Sequence, residues 1–234
     1  FVRFADEIVD SFHDFDKADL LNRFRDETYL SIKEGISLNP ILNSFQEAVN
    51  TYKIDIALID TFLDSMEMDL NKDSYNQLGY EKYILGSAEV VGLMCLKVFT
   101  DGNEEQFKLL KPAAQKLGSA FQKINFLRDA QADFKGLGRT YFPGIEMECF
   151  SNEDKIKIEK EIEAEFMEAL KGIKKLPSSS RLGVYVAYVY YLQLLKKIKR
   201  TPAHRILEER ISVANSKKIG LMLNSFVKHQ LNLL

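Results

Sequence analysis

Apolar side chains recur along this chain every three or four residues. The sets Phe4, Ile8 and Phe12; Ile56, Ile59, Phe62 and Leu63; Leu117, Phe121, Ile124 and Leu127; and Ile158, Ile162, Phe166 and Leu170 each trace one face of a helix. Breaks are expected at Leu38-Asn39-Pro40, Thr100 to Asn103, Gly136 to Gly144, Leu176 to Ser180 and Arg200-Thr201-Pro202, where Pro, Gly, Asn and Ser cluster. Val184 to Tyr191 is rich in residues that favour strands, and we read it as a buried helix because no alternating segment accompanies it. None of the breaks is long enough to be a domain linker, and no internal repeat occurs. The pattern predicts an all-α fold in a single domain over residues 1–234.

Composition agrees with long helices. Twelve Gly and five Pro among 234 residues leave few turn signals for an all-β protein. Cys95 and Cys149 lie far apart with no metal or disulfide spacing, so a reduced, cytoplasmic setting is expected. His13, His204 and His229 are scattered and support neither a zinc site nor a hydrolase triad. The longest apolar stretch, Leu182 to Leu195, is shorter than the roughly 20 residues a spanning helix needs. Phe1 already stands inside a helical pattern, so an N-terminal segment is expected to be missing.

The formal net charge of −2 argues against a nucleic-acid partner, but it conceals an asymmetry. Residues 1–70 hold 15 acidic and 6 basic side chains, and residues 170–234 hold 13 basic and 2 acidic. Like charges gathered in this way repel unless a partner or ion offsets them; the plain alternative is a solvated face.

Two acidic pairs sharpen that point. Asp6 and Asp10 stand four residues apart, on one helical face a turn from each other, where like charges are unfavourable. Asp129 and Asp133 repeat the spacing, and Gly118, Gln122 and Asn125 continue their stripe toward the N-terminus of the same helix. Hard oxygen donors without His or Cys suit Mg²⁺, which keeps positions for water and phosphate oxygens, so a phosphate ester is the expected substrate. No Gly-rich nucleotide loop occurs. Downstream, Arg139 and Tyr141 could reach back to pair with phosphate oxygens, or Arg139 could be an ordinary loop cation. Gly86-Ser87-Ala88 with Gly92 allow close helix packing or leave room for a bulky apolar ligand.

These motifs, in this order, resemble the squalene/phytoene synthase family of head-to-head trans-prenyl transferases. The resemblance rests on RFADEIVD, YILGSAEVVG and QKINFLRDAQAD followed by GRTYFP, and runs over essentially the whole chain. It implies the all-α isoprenoid-synthase helical bundle, with two acidic motifs facing across a central cavity. It also implies that Asp6, Asp10, Asn125, Asp129 and Asp133 hold Mg²⁺ (with Mn²⁺ as the other admissible ion), assisted by Gln122. By the same resemblance Arg3 contacts diphosphate, Tyr83 lines the chamber, Arg139 and Tyr141 close over the leaving group, and Tyr191, Arg210 and Lys218 are later diphosphate contacts. Glu89, where the family more often has a small residue, and a loop one residue longer before Arg139 are departures.

The implied partners are prenyl diphosphates, with a peripheral contact at the inner membrane face. The implied reaction joins two of them with release of diphosphate, and geranylgeranyl diphosphate giving phytoene is the main expectation. Two alternatives stay open. One is a C30 synthase making dehydrosqualene from farnesyl diphosphate, or squalene if NADPH supplies hydride. The other is a non-catalytic assembly or lipid-binding relative.

Overall fold

The structure, a computed structural model, describes residues 1–71, 75–137 and 140–231. Its order is α1 (Val2–Ser11), α2 (Lys17–Glu34), α3 (Pro40–Tyr52), α4 (Ile56–Asn71), α5 (Gln77–Ile84), a π-helical turn (Leu85–Glu89), α6 (Val90–Phe99), α7 (Glu104–Leu137), a 3₁₀ turn (Met147–Cys149), α8 (Asn152–Ile173), α9 (Ser178–Arg200), α10 (Ala203–Ile206) and α11 (Asn215–Gln230). No strand occurs among the described residues. The predicted Val184–Tyr191 helix lies inside α9.

Local chemistry sets the boundaries. Asp16 caps α2 by accepting from the Asp19 amide, and Gly35 ends that helix at φ 70°. Asn39 caps α3 with Pro40 in its first turn. Asn103 accepts from the Gln106 amide at the start of α7 at 3.0 Å, and Ser151 caps α8. The π-helical turn was not legible from periodicity. It widens the chain for one turn between α5 and α6, a distortion often found beside functional sites.

The core has two principal clusters. Ile8, Leu21, Phe24, Leu42, Ile59, Phe62 and Leu63 join α1 to α4. Around α7, Ile124, Leu127, Ile162, Phe166, Leu194 and Leu195 join it to α8 and α9. Each such side chain, fully removed from water, contributes about 1.5–3 kcal/mol before entropy is charged against it. Close backbone approaches seat the helices between these clusters. A Cβ at Gly86 would lie 2.6 Å from the Thr61 carbonyl oxygen, and one at Gly118 would lie 2.7 Å from that of Ala88. At these positions small residues serve close packing.

Charge also ties α7 to α8. Lys123, 3% exposed, pairs with Glu161 and, at 3.0 Å, with Glu165, which also accepts from Ser119 Oγ at 2.9 Å. The attraction within the buried Lys123–Glu165 pair is largely offset by the cost of taking both charges out of water, so it adds little net stability.

Candidate active site

One face of α7 carries the centre of the site. From Leu110 through Ala113, Ala114, Leu117, Gly118 and Phe121 this face is apolar. It continues as Gln122, Asn125, Asp129 and Asp133. Beside the stretch from Leu110 to Asn125 lies a cavity of about 390 Å³, walled otherwise by Ser87, Val91, Cys95 and Phe99 and by residues of α8 and α9. The cavity thus has an apolar body and, at the Asn125 end, a polar mouth.

That mouth is held by α9. Tyr191 Oη donates to Asn125 Oδ1 at 3.1 Å, and its ring stacks on Phe121 with centroids 3.9 Å apart. Asn125 Nδ2 in turn donates to Gln122 Oε1 at 3.3 Å. One turn on, Asp129 accepts from Arg210 Nε at 2.7 Å and from Arg128 Nε at 3.0 Å, with a further bond from Arg128 Nη2. The Arg210 segment docks through a bond from the Ile211 amide to the Arg128 carbonyl at 3.4 Å. Burial lowers the pKa of the Arg128 guanidinium, but hydrogen bonding and charge attraction from Asp129 and Tyr191 together outweigh this and leave it above the usual value.

The structure therefore brings together Gln122, Asn125, Tyr191, Asp129 and Arg210, with Asp129 and Arg210 bonded across 81 positions of sequence. Lys218 stands 5.5 Å over the ring of Tyr190, the neighbour of Tyr191. Asp6 and Asp10 sit on α1, where Arg3 pairs with Asp6 at 3.4 Å and with Glu7. Arg139 lies outside the described residues.

Tyr83 and Tyr141 take a different place. Tyr83 is 4% exposed and is not among the residues lining the cavity. Its hydroxyl donates to Asp69 Oδ2 at 2.8 Å, and its ring packs 5.5 Å from that of Tyr141. Tyr141 is itself buried and stacks on Phe126 at 4.0 Å. Burial, with the Asp69 carboxylate next, holds the Tyr83 phenol well above its ordinary pKa, so it stays protonated as a donor. Glu89 is half-buried and accepts from Gln115 Nε2 at 2.9 Å; burial pushes its carboxyl upward.

Sequence reasoning missed Arg128 and Asp69. A cation immediately before the central aspartate, and an aspartate on the largely apolar face of α4, were the available signals.

Among the described residues no three His, Cys, Asp or Glu side chains gather closely enough to make a metal site by themselves. The donor chemistry nonetheless fits Mg²⁺ bound together with a phosphate ester, because that ion is satisfied by one or two carboxylates with phosphate oxygens and water.

A family model described as squalene/phytoene synthase matches residues 1–217. The chain belongs to the squalene/phytoene synthase family. Within it, the chain is 29% identical over 206 residues to phytoene synthase 1 of Solanum lycopersicum, covering 79% of this chain and 49% of that protein. It is 29% identical over 194 residues to the phytoene synthase of Daucus carota, covering 74% and 48%. The chain thus spans about half the length of these relatives. Among solved structures, a dehydrosqualene synthase matches with a TM-score of 0.78 at 18% identity, over 98% of this chain and 83% of its own. The squalene synthase of Alicyclobacillus acidocaldarius matches at 0.73 and 19%, over 85% and 79%. At such identities these two likenesses establish the fold, a squalene/phytoene synthase bundle.

Proposed function

We propose that this protein condenses two prenyl diphosphates head to head, releasing diphosphate, with two geranylgeranyl diphosphates giving phytoene as the main reaction. The observation that carries this reading is the face of α7. An apolar trough there runs to Asn125, and Asp129, one turn further along the same helix, already holds a cation from a distant segment. An apolar tail and an anionic head are the two halves of a prenyl diphosphate.

In this reading Asp6, Asp10, Asn125, Asp129 and Asp133 would hold Mg²⁺, with Gln122 steadying Asn125. The bound ion would draw negative charge from the departing diphosphate as the allylic C–O bond breaks. Arg210, which is exposed, can turn from Asp129 toward phosphate oxygens, and Arg3, Arg139 and Lys218 would be further diphosphate contacts. Tyr191 fixes the Asn125 amide so that Nδ2 and Oδ1 keep their roles. The apolar walls exclude water that would otherwise trap the carbocation. Tyr83 and Tyr141 act by shaping the wall behind α7.

Peripheral membrane contact belongs to the same proposal. No helix among the described residues is long and apolar enough to cross a membrane. On α11, however, Ile219, Met222, Leu223, Phe226 and Val227 form an exposed apolar stripe, accompanied by Lys217 and Lys228. An apolar face beside lysines is the pattern of a helix lying on an anionic bilayer, to which a hydrocarbon product could pass.

The deciding experiment incubates the protein and Mg²⁺ with farnesyl or geranylgeranyl diphosphate, with and without NADPH, and identifies the hydrocarbon. Phytoene is the expected product. Dehydrosqualene, or squalene with NADPH, would move the assignment to a C30 synthase. No hydrocarbon from either substrate would overturn the enzymatic reading in favour of a binding or assembly role.

A further inference from the structure

The cavity has a depth that can be read from its helices. Leu110 and Asn125, both on its wall, are 15 residues apart on α7, about 22 Å at about 1.5 Å per residue. Helix α6 runs antiparallel to α7, because Gly118 approaches Ala88 while Gly92 approaches Ala114. This places Phe99 at the Leu110 end. The same end receives the start of α9, where Ser180 Oγ donates to the Phe99 carbonyl at 3.5 Å, while Tyr191 of α9 bonds Asn125 at the mouth. Gly183, eight residues before Tyr191, therefore borders the cavity about 12 Å below the mouth. Phe99, Leu110, Ile173 and Leu176 lie deeper and form the floor.

Gly183 differs from its neighbours in what a side chain there would meet. A Cβ on Gly172, which also borders the cavity, would strike the Ala113 Cβ at 2.3 Å, so packing demands glycine there. A Cβ on Gly183 would meet nothing within 4 Å. Packing does not require glycine at 183, and a helix interior disfavours it. Gly183 is exposed on the cavity wall, and its missing side chain leaves that wall open at about the 12 Å level. With carbon–carbon bonds of about 1.5 Å, extended 15- and 20-carbon prenyl tails reach about 14 and about 19 Å. The shorter tail ends near Gly183 and the longer one passes it.

We propose that Gly183 is the length-determining position of this site, admitting the last isoprene unit of a 20-carbon prenyl diphosphate to the floor at Phe99, Leu110 and Leu176. The proposal rests on the prenyl diphosphate reading above.

Its test gives the wild-type protein, Gly183→Ala and Gly183→Leu equal amounts of farnesyl and geranylgeranyl diphosphate with Mg²⁺. The ratio of kcat/KM for the longer over the shorter substrate is then compared. Gly183→Leu is expected to lower that ratio by about tenfold or more, the scale on which an apolar pocket rejects surplus carbons, and Gly183→Ala by much less. An unchanged ratio in Gly183→Leu overturns the proposal, whether or not total activity falls. If that variant does not fold, Phe99→Ala supplies the converse: a lowered floor should raise turnover of a 25-carbon prenyl diphosphate relative to geranylgeranyl diphosphate, and no rise overturns the proposal. Should the wild-type protein turn over neither substrate, the condensation reading falls and the gauge is tested separately. Thermal stabilisation by farnesyl and geranylgeranyl thiolodiphosphate is then compared, and a length preference that Gly183→Leu leaves unmoved overturns the gauge.

Discussion

Two acidic pairs in this protein have the same spacing and different surroundings. On α4, Asp60 accepts from Tyr29 Oη at 2.6 Å and Asp64 from Arg25 at 2.9 Å, both from α2, which packs alongside. Arg25 has a side chain only 20% exposed and also pairs with Glu67. On α7, Asp129 is answered by its neighbour Arg128 and by Arg210, whose side chain is 67% exposed and which lies between α10 and α11. The first cation is a fixed part of the helix packing. The second sits on a segment outside regular helix, where a phosphate could compete for it. A repelling pair at four-residue spacing thus points to a ligand when its counter-cation is replaceable, and to tertiary structure when the counter-cation is built in.

The most severe way to break the comparison is to neutralise the α7 pair. Asp129→Asn should lower turnover with saturating Mg²⁺ by about 10²–10³-fold or more, the scale for losing a group that stabilises charge in the transition state. Circular dichroism should show its helices intact. Near-normal turnover would remove Asp129 from the metal set. Arg210→Ala comes next: losing one charge-assisted hydrogen bond to diphosphate should raise KM by about tenfold. Its effect on stability should stay within about 1 kcal/mol because the side chain is exposed. Unchanged KM and kcat would make Arg210 a surface cation of the same kind as its neighbours.

Arg25→Ala tests the other side. It should cost on the order of 1 kcal/mol, from lost packing of the Arg25 stem and lost pairing with the half-exposed Asp64 and Glu67, lowering Tm by about 2–4 °C per kcal/mol in a chain of this size. Turnover per folded molecule at 25 °C should not change. A loss of activity without a loss of Tm would show that the α4 pair also serves the reaction.

The contrast explains what was legible in the sequence. Periodicity suffices for helices such as α7 and α8, because their buried faces are long and regular, and Pro40 and Pro177 mark helix starts. The stripe Gln122, Asn125, Asp129, Asp133 was visible because polar residues interrupt an apolar face. Asp60 and Asp64 share that spacing and went unremarked, since nothing local distinguishes a pair met by α2 from a pair met by ligand. Tyr83 was expected to line the chamber, and its burial against Asp69 and Tyr141 depends on residues 14 and 58 positions away. The π-helical turn likewise leaves no trace in composition. Close approaches at Gly86 and Gly118 answer part of the choice that the small residues had left open.

The smallest effect concerns the wall between the two pairs, at Glu89. Its carboxyl is raised by burial, so the folded protein binds this proton more tightly than the unfolded chain does. The stability this contributes is fully present below the ordinary Glu value of 4.5 and is lost as pH rises through the raised one. Glu89→Gln keeps an oxygen to accept from Gln115 and removes the charge. Relative to wild type its Tm should therefore gain between pH 4 and pH 7, on the order of 1–2 °C. A difference that does not vary with pH would mean that Glu89 is effectively solvated, and that the wall beside Gly118 tolerates a carboxylate because water reaches it.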